Sequence, residues 1–198
     1  MFPSGAVQPL KLSRQPAAAY VTEVMHMAES PLTHCVECRY DGSGRHLRFW
    51  REGTVTTAAE VVTLWRGAGT AKGFNGGDAF DRECESRFFN AHMAAARREH
   101  EGWMEDAEGA LALLILLDQI PRNIFRGSGH AYATDGLALH YARRAVDARL
   151  DVEVEPGLRA FMYLPFEHSE DIADQHRAVE LFRAMGEETY IDYALRHL

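Results

Sequence analysis

Two segments of the chain concentrate residues able to do acid–base or ion-pair chemistry. The first is Leu117-Asp118-Gln119-Ile120-Pro121-Arg122-Asn123-Ile124-Phe125-Arg126. The second is Leu164-Pro165-Phe166-Glu167-His168-Ser169-Glu170-Asp171, continuing to Asp174, Gln175 and His176. Both have one design: an apolar run, a proline that breaks it, then dense polar residues. Pro121 disfavours helical backbone at Ile120 and removes a donor, so Asp118 and Gln119 fall at the end of an apolar helix. A carboxylate buried there costs several kcal/mol unless it is paired. Arg122 lies four residues on and Arg126 eight, so either is a candidate partner. Two readings stay open. In one, the ions pin a helix junction and do nothing else. In the other, Arg122, Arg126 and Asn123 face a cavity and grip a carboxylate or phosphate.

In the second segment, capping and the helix dipole account for Ser169, Glu170 and Asp171. They do not account for Glu167 and His168, which precede the cap. Gln175 and His176 occupy an inward position in the stripe Ile172, Val179, Phe182, so at least one is expected to face the core. The convergence of Glu167, His168, Gln175 and His176 on one junction favours a polar pocket over a lone core histidine. His168, tuned by Glu167 or Asp118, is the candidate general base, and Glu167 the second candidate catalytic group.

Other chemistries find little support. No HExxH and no Glu-x-x-His pairing on two helices is present, so no metal is expected. His34 with Cys35-x-x-Cys38 is half of a zinc pattern and lacks a second pair. Gly67-x-Gly69 precedes no phosphate-binding lysine, and no serine sits in a G-x-S-x-G turn. No cofactor is expected.

Composition narrows the field further. At 198 residues, with 46% hydrophobic and 25% charged residues, the chain suits one soluble domain with a short appendage. A net charge of -8 argues against nucleic acid as the partner. The longest apolar run, Ala110–Leu117, is too short to span a membrane. Three cysteines and no secretory signal fit a reducing cytoplasm.

The elements that must position these residues are helices. Residues 1–56 form an N-terminal extension, partly irregular, with a short helix expected over Ala17–Ala28 and a hairpin of Thr33–Arg39 with Leu47–Trp50 around Asp41-Gly42-Ser43-Gly44. Residues 57–198 are expected to be all-α. Thr57–Trp65 is a helix capped by Thr57, and Arg66–Gly77 a glycine-rich loop. Asp78–Glu99 places Phe80, Cys84, Phe88, Ala91 and Ala95 on one face. Glu108–Gln119 has no solvent face and should be central. Thr134 caps a helix to Ala148, Pro156 starts one to Tyr163, and Ser169 caps one over Glu170–Met185, which Gly186 stops. Glu187–Leu198 adds a short closing helix.

The two proline segments, with Tyr132-Ala133-Thr134-Asp135, Tyr163 and Asp174-Gln175, resemble the hallmarks of the bacterial domain of unknown function 924. The likeness runs from about Val61 to His197. It implies stacked antiparallel helical hairpins like the tetratricopeptide superhelix, and no established reaction. Near its start the chain departs from the family's aromatic runs, with Leu64-Trp65-Arg66 and Gly73-Phe74 in their places. Adding Asp135 from the family motif, the expected ligand-binding set is Asp118, Arg122, Asn123, Arg126, Asp135, Glu167, His168, Asp171 and Gln175. An anionic or strongly polar small molecule is the expected ligand. A helical scaffold gripping a protein or peptide, or an enzyme using His168 as base, are the alternatives. Oligomeric state is not legible.

Overall fold

The computed structural model describes Glu37–Tyr40, His46–Phe49 and residues 55–198, with backbone alone for 70–75. The chain divides into two units, Met1–Arg51 and Glu52–Leu198. In the first, β1 (Glu37–Tyr40) and β2 (His46–Phe49) pair antiparallel, with Glu37 opposite Phe49 and Tyr40 opposite His46. The Asp41-Gly42-Ser43-Gly44 turn expected between them lies outside the described residues. The helix expected over Ala17–Ala28 and the pair His34-Cys35 lie outside the described residues.

The second unit is all-α. Thr57 and Glu60 form a reciprocal capping box that starts α1 (Ala58–Asn75). The loop expected over Arg66–Gly77 is instead mostly helix, interrupted at Gly69, where φ 68° and ψ 167° leave the helical region and kink α1. In α2 (Gly77–Ala96), Phe80, Cys84, Phe88, Ala91 and Ala95 are all buried, together with His92. Asp106 caps α3 (Ala107–Leu114) by accepting from the Gly109 amide at 2.7 Å. Burial is continuous from Gly109 to Pro121, and α3 packs against α1, α5 and α6. The helix without a solvent face is thus the central one.

At the proline the helix restarts, as expected. From Leu114 it widens into one π turn, Ile115–Gln119, and resumes as α4 (Ile120–Ile124) with Pro121 in its first turn. The amide of Ile120 reaches back five residues to the Ile115 carbonyl. Pro121 has no N–H to offer the Leu116 or Leu117 carbonyl. Side chains take its place: His92 Nδ1 donates to Leu116 at 2.8 Å, and Thr134 Oγ1 donates to Leu117. Burial holds His92 below its ordinary pKa, consistent with a neutral ring. Thr134 precedes α5 (Asp135–Asp147) but makes no capping bond there, since its hydroxyl is committed to Leu117.

Pro156 occupies the first turn of α6 (Pro156–Glu167), as expected. Pro165 lies inside that helix, which continues past Tyr163 and ends two residues after the proline. The N-cap of α7 (Ile172–Met185) is Asp171, accepting from the Ala173 amide at 2.9 Å, where Ser169 was expected. Gly186 ends α7 in the left-handed region at φ 79°, and α8 (Glu188–His197) closes the chain. Helices α6 and α7 pack together, as do α7 and α8.

Candidate functional site

The π turn and the C-terminus of α6 bring the two proline segments together. Asp118 is fully buried, and its carboxylate is satisfied on every side. His168, the C-cap of α6, lies with Nδ1 2.8 Å from Asp118 Oδ1. Gln119 Nε2 donates to Oδ2 at 2.6 Å, and Arg122 Nη1 lies 3.3 Å from Oδ1. Burial alone would raise the Asp118 pKa; the His168 and Arg122 charges and the bonds from His168 and Gln119 outweigh it and hold the carboxyl below its usual range. A carboxylate only accepts, so His168 Nδ1 carries a hydrogen. The other ring nitrogen, Nε2, has no hydrogen-bond partner among the described residues, and the side chain is 17% exposed.

Arg122 is spent on internal partners. Its Nη1 donates to the Asp118 carbonyl at 2.7 Å and to Asp135 Oδ1 at 2.8 Å, and Nη2 to Asp135 Oδ2 at 2.9 Å. The guanidinium also stacks 5.4 Å from the ring centre of Tyr132, itself 63% exposed. Asn123 is buried and donates to the Gln119 carbonyl at 3.0 Å. Arg126 turns away to Asp81, which takes both of its bonds at 2.7 and 2.9 Å, with a weaker one to Asn123.

Glu167 stands apart from Asp118 in its surroundings. It is buried, and Oε2 has no hydrogen-bond partner. Oε1 lies 3.2 Å from Nδ1 of His197, whose hydrogen bond goes to the Tyr193 carbonyl at 3.0 Å. Burial pushes the Glu167 carboxyl up, against the pull of His197 and His168. The rings of His168 and His197 lie 6.5 Å apart. His197 was not anticipated: it stands alone on the last turn, with no motif around it.

Asp118, Arg122, Asp135, Asn123 and His168 therefore share one bonded cluster, with Glu167 beside it. Asp171 and Gln175 bond at the start of α7 instead, Gln175 Nε2 donating to the Ser169 carbonyl at 2.8 Å. Gln175 is half-buried and His176 exposed; the inward polar residue of that turn is Asp174, paired with Arg143 at 2.6 and 2.7 Å. Among the described residues no group of three or more His, Cys, Asp or Glu side chains is arranged to hold a metal. A cavity of about 340 Å³ lies elsewhere, between α1 and α2, floored by Leu64, Ala68 and Phe80 and edged by Glu83 and Arg87. None of the nine candidate residues lines it.

Fold and site together define an all-helical protein whose polar cluster is held at two proline-marked helix ends. The model of a family of bacterial proteins of unknown function, DUF924, matches residues 47–198, and the chain belongs to that family. The match begins upstream of Val61 and takes in β2. A solved structure of a protein of unknown function from Agrobacterium tumefaciens is 50% identical, with a TM-score of 0.68, covering 71% of this chain and 79% of that one. No curated protein matches. No helix among the described residues is long and apolar enough to cross a membrane.

Proposed function

We propose that the junction of the π turn with α6 is a small-molecule site in which His168 accepts a proton from a polar ligand and Asp118 positions it. One observation carries this reading. The imidazole is fixed through Nδ1 at 2.8 Å by a buried carboxylate, leaving Nε2 unclaimed. A carboxylate in that position selects the tautomer with a lone pair on Nε2 and stabilises the imidazolium once a proton arrives. Ser169 follows His168, but its hydroxyl donates to Asp174 at 2.9 Å, so the reading is proton transfer.

The test is a two-bond ¹H–¹⁵N correlation spectrum of histidine-labelled protein, with carbethoxylation mapped by peptide mass spectrometry. We expect neutral His168 as the Nδ1–H tautomer, reacting at Nε2, with that preference lost in Asp118→Asn. An Nε2–H tautomer, or a His168 inert to the reagent, overturns the proposal. A peptide-binding scaffold is the second reading, favoured by the exposed apolar side chains Tyr193, Leu195 and Leu198 at the chain's end.

A further inference from the structure

We propose that Glu167 selects the ligand of this site, and that the molecule it selects presents an N–H-bearing cation, an amidinium or ammonium, rather than a carboxylate or phosphate. The proposal rests on the junction being a small-molecule site, as above. Glu167 adjoins His168 in sequence, and its side chain is only 5% exposed. A buried acceptor with no donor is costly, and Oε2 is such an acceptor. The nitrogen near Oε1, His197 Nδ1, gives its hydrogen bond to the Tyr193 carbonyl. What the carboxyl lacks is donors, and a planar amidinium offers two in parallel.

The surrounding charges point the same way. Arg122 is taken by Asp118 and Asp135, Arg126 by Asp81, and Arg143 by Asp174. An anion would have to displace a carboxylate already bonded to each guanidinium, and would then face Asp118, Asp135 and Glu167. A cation meets the unpartnered oxygen of Glu167 and displaces nothing from Asp118 or Asp135. Access runs through His197, the penultimate residue, whose side chain is 45% exposed. Its imidazole keeps the place of the incoming donor.

Acetamidinium and acetate test this directly, because they share size and planarity while inverting charge and hydrogen bonding. Each is titrated into the full-length protein at matched ionic strength, reading the side-chain signals of His168 and His197. Acetamidinium should shift both signals saturably, and acetate should not. Glu167→Gln should weaken acetamidinium about tenfold, and His197→Ala should tighten it by removing the competitor. Saturable acetate binding at His168 overturns the proposal, as does acetamidinium that saturates neither in the wild type nor in His197→Ala. The wild-type comparison stands even if Glu167→Gln does not fold. The same spectra separate this from the base reading: acetamidinium binding beside an Nε2–H His168 removes the base and keeps the ligand class, while acetate binding beside an Nδ1–H His168 does the reverse.

Discussion

Replacing Asp118 with alanine should cost about 3–5 kcal/mol of stability, the range for breaking a buried ion pair by removing one partner. The loss has three parts. His168 Nδ1 and Gln119 Nε2 lose their acceptor, and the Arg122 guanidinium, kept near by Asp135, faces a void where the carboxylate stood. Asp118→Asn keeps the volume and one acceptor and should cost clearly less. Urea unfolding followed by circular dichroism measures both; a loss below about 1 kcal/mol in Asp118→Ala would mean the cluster carries little of the fold's stability. The same carboxyl shapes the acid limb. Its pKa is depressed in the folded state, so its contribution is full above the unfolded value of about 3.9 and fades as pH falls through the lower folded value. Glu167 acts in the opposite sense. Its pKa is raised, so it favours the folded state below the ordinary glutamate value and loses that contribution as pH rises through its folded value. Wild-type stability should therefore fall as pH rises from the ordinary glutamate value through the Glu167 transition and level off above it, and Glu167→Gln should flatten that fall without touching the acid limb.

Gly109→Ala should destabilise by about 3 kcal/mol, at the top of the usual range for overpacking. A Cβ at that position would lie 2.2 Å from the Trp103 carbonyl oxygen and 3.0 Å from its carbon. Those are backbone atoms, so no side-chain rotation relieves the clash. Either α3 moves off the 3₁₀ turn Glu101–Glu105, or the bond from the Gly109 amide to Asp106 breaks. The stack of Trp103 on His100, 4.3 Å between ring centres, would go with it. For a chain of this size the loss corresponds to a melting point lower by about 6–12 °C. A shift of less than about 2 °C would show that the turn yields at little cost.

Much of this architecture was legible because it follows from local rules. The stripe Phe80, Cys84, Phe88, Ala91, Ala95 and the uniform apolarity from Ala110 to Leu117 each dictate a face, and both faces are buried as that pattern requires. Pairing of Asp118 with Arg122 followed from four-residue spacing. What was not legible depends on partners distant in sequence. Arg126 was an equal candidate for Asp118 until Asp81, 45 positions away, claims it. Thr134 has the sequence of a cap and serves instead as the donor Pro121 lacks. Pro165 was expected to stop α6 near Tyr163, but the helix tolerates one missing bond and runs on to Glu167. Asp174 took the inward position expected for Gln175 or His176 because Arg143 on α5 waits for it.

The π turn has a consequence for how this chain tolerates changes in length. A five-residue turn is an α-helix with one residue too many, so Ile115–Gln119 carries an insertion already absorbed. Deleting any one residue there would restore a regular helix, a change the core could accommodate as ordinary packing. Because the wide turn has absorbed the extra residue, α4 would keep its orientation relative to α3, and the step of about 100° per residue would fall on the side chains within the turn itself. Asp118 would swing away from His168 while the helices stayed apolar and buried. The count of residues in one turn, more than the identity of any of them, sets whether the buried carboxylate faces the histidine at all.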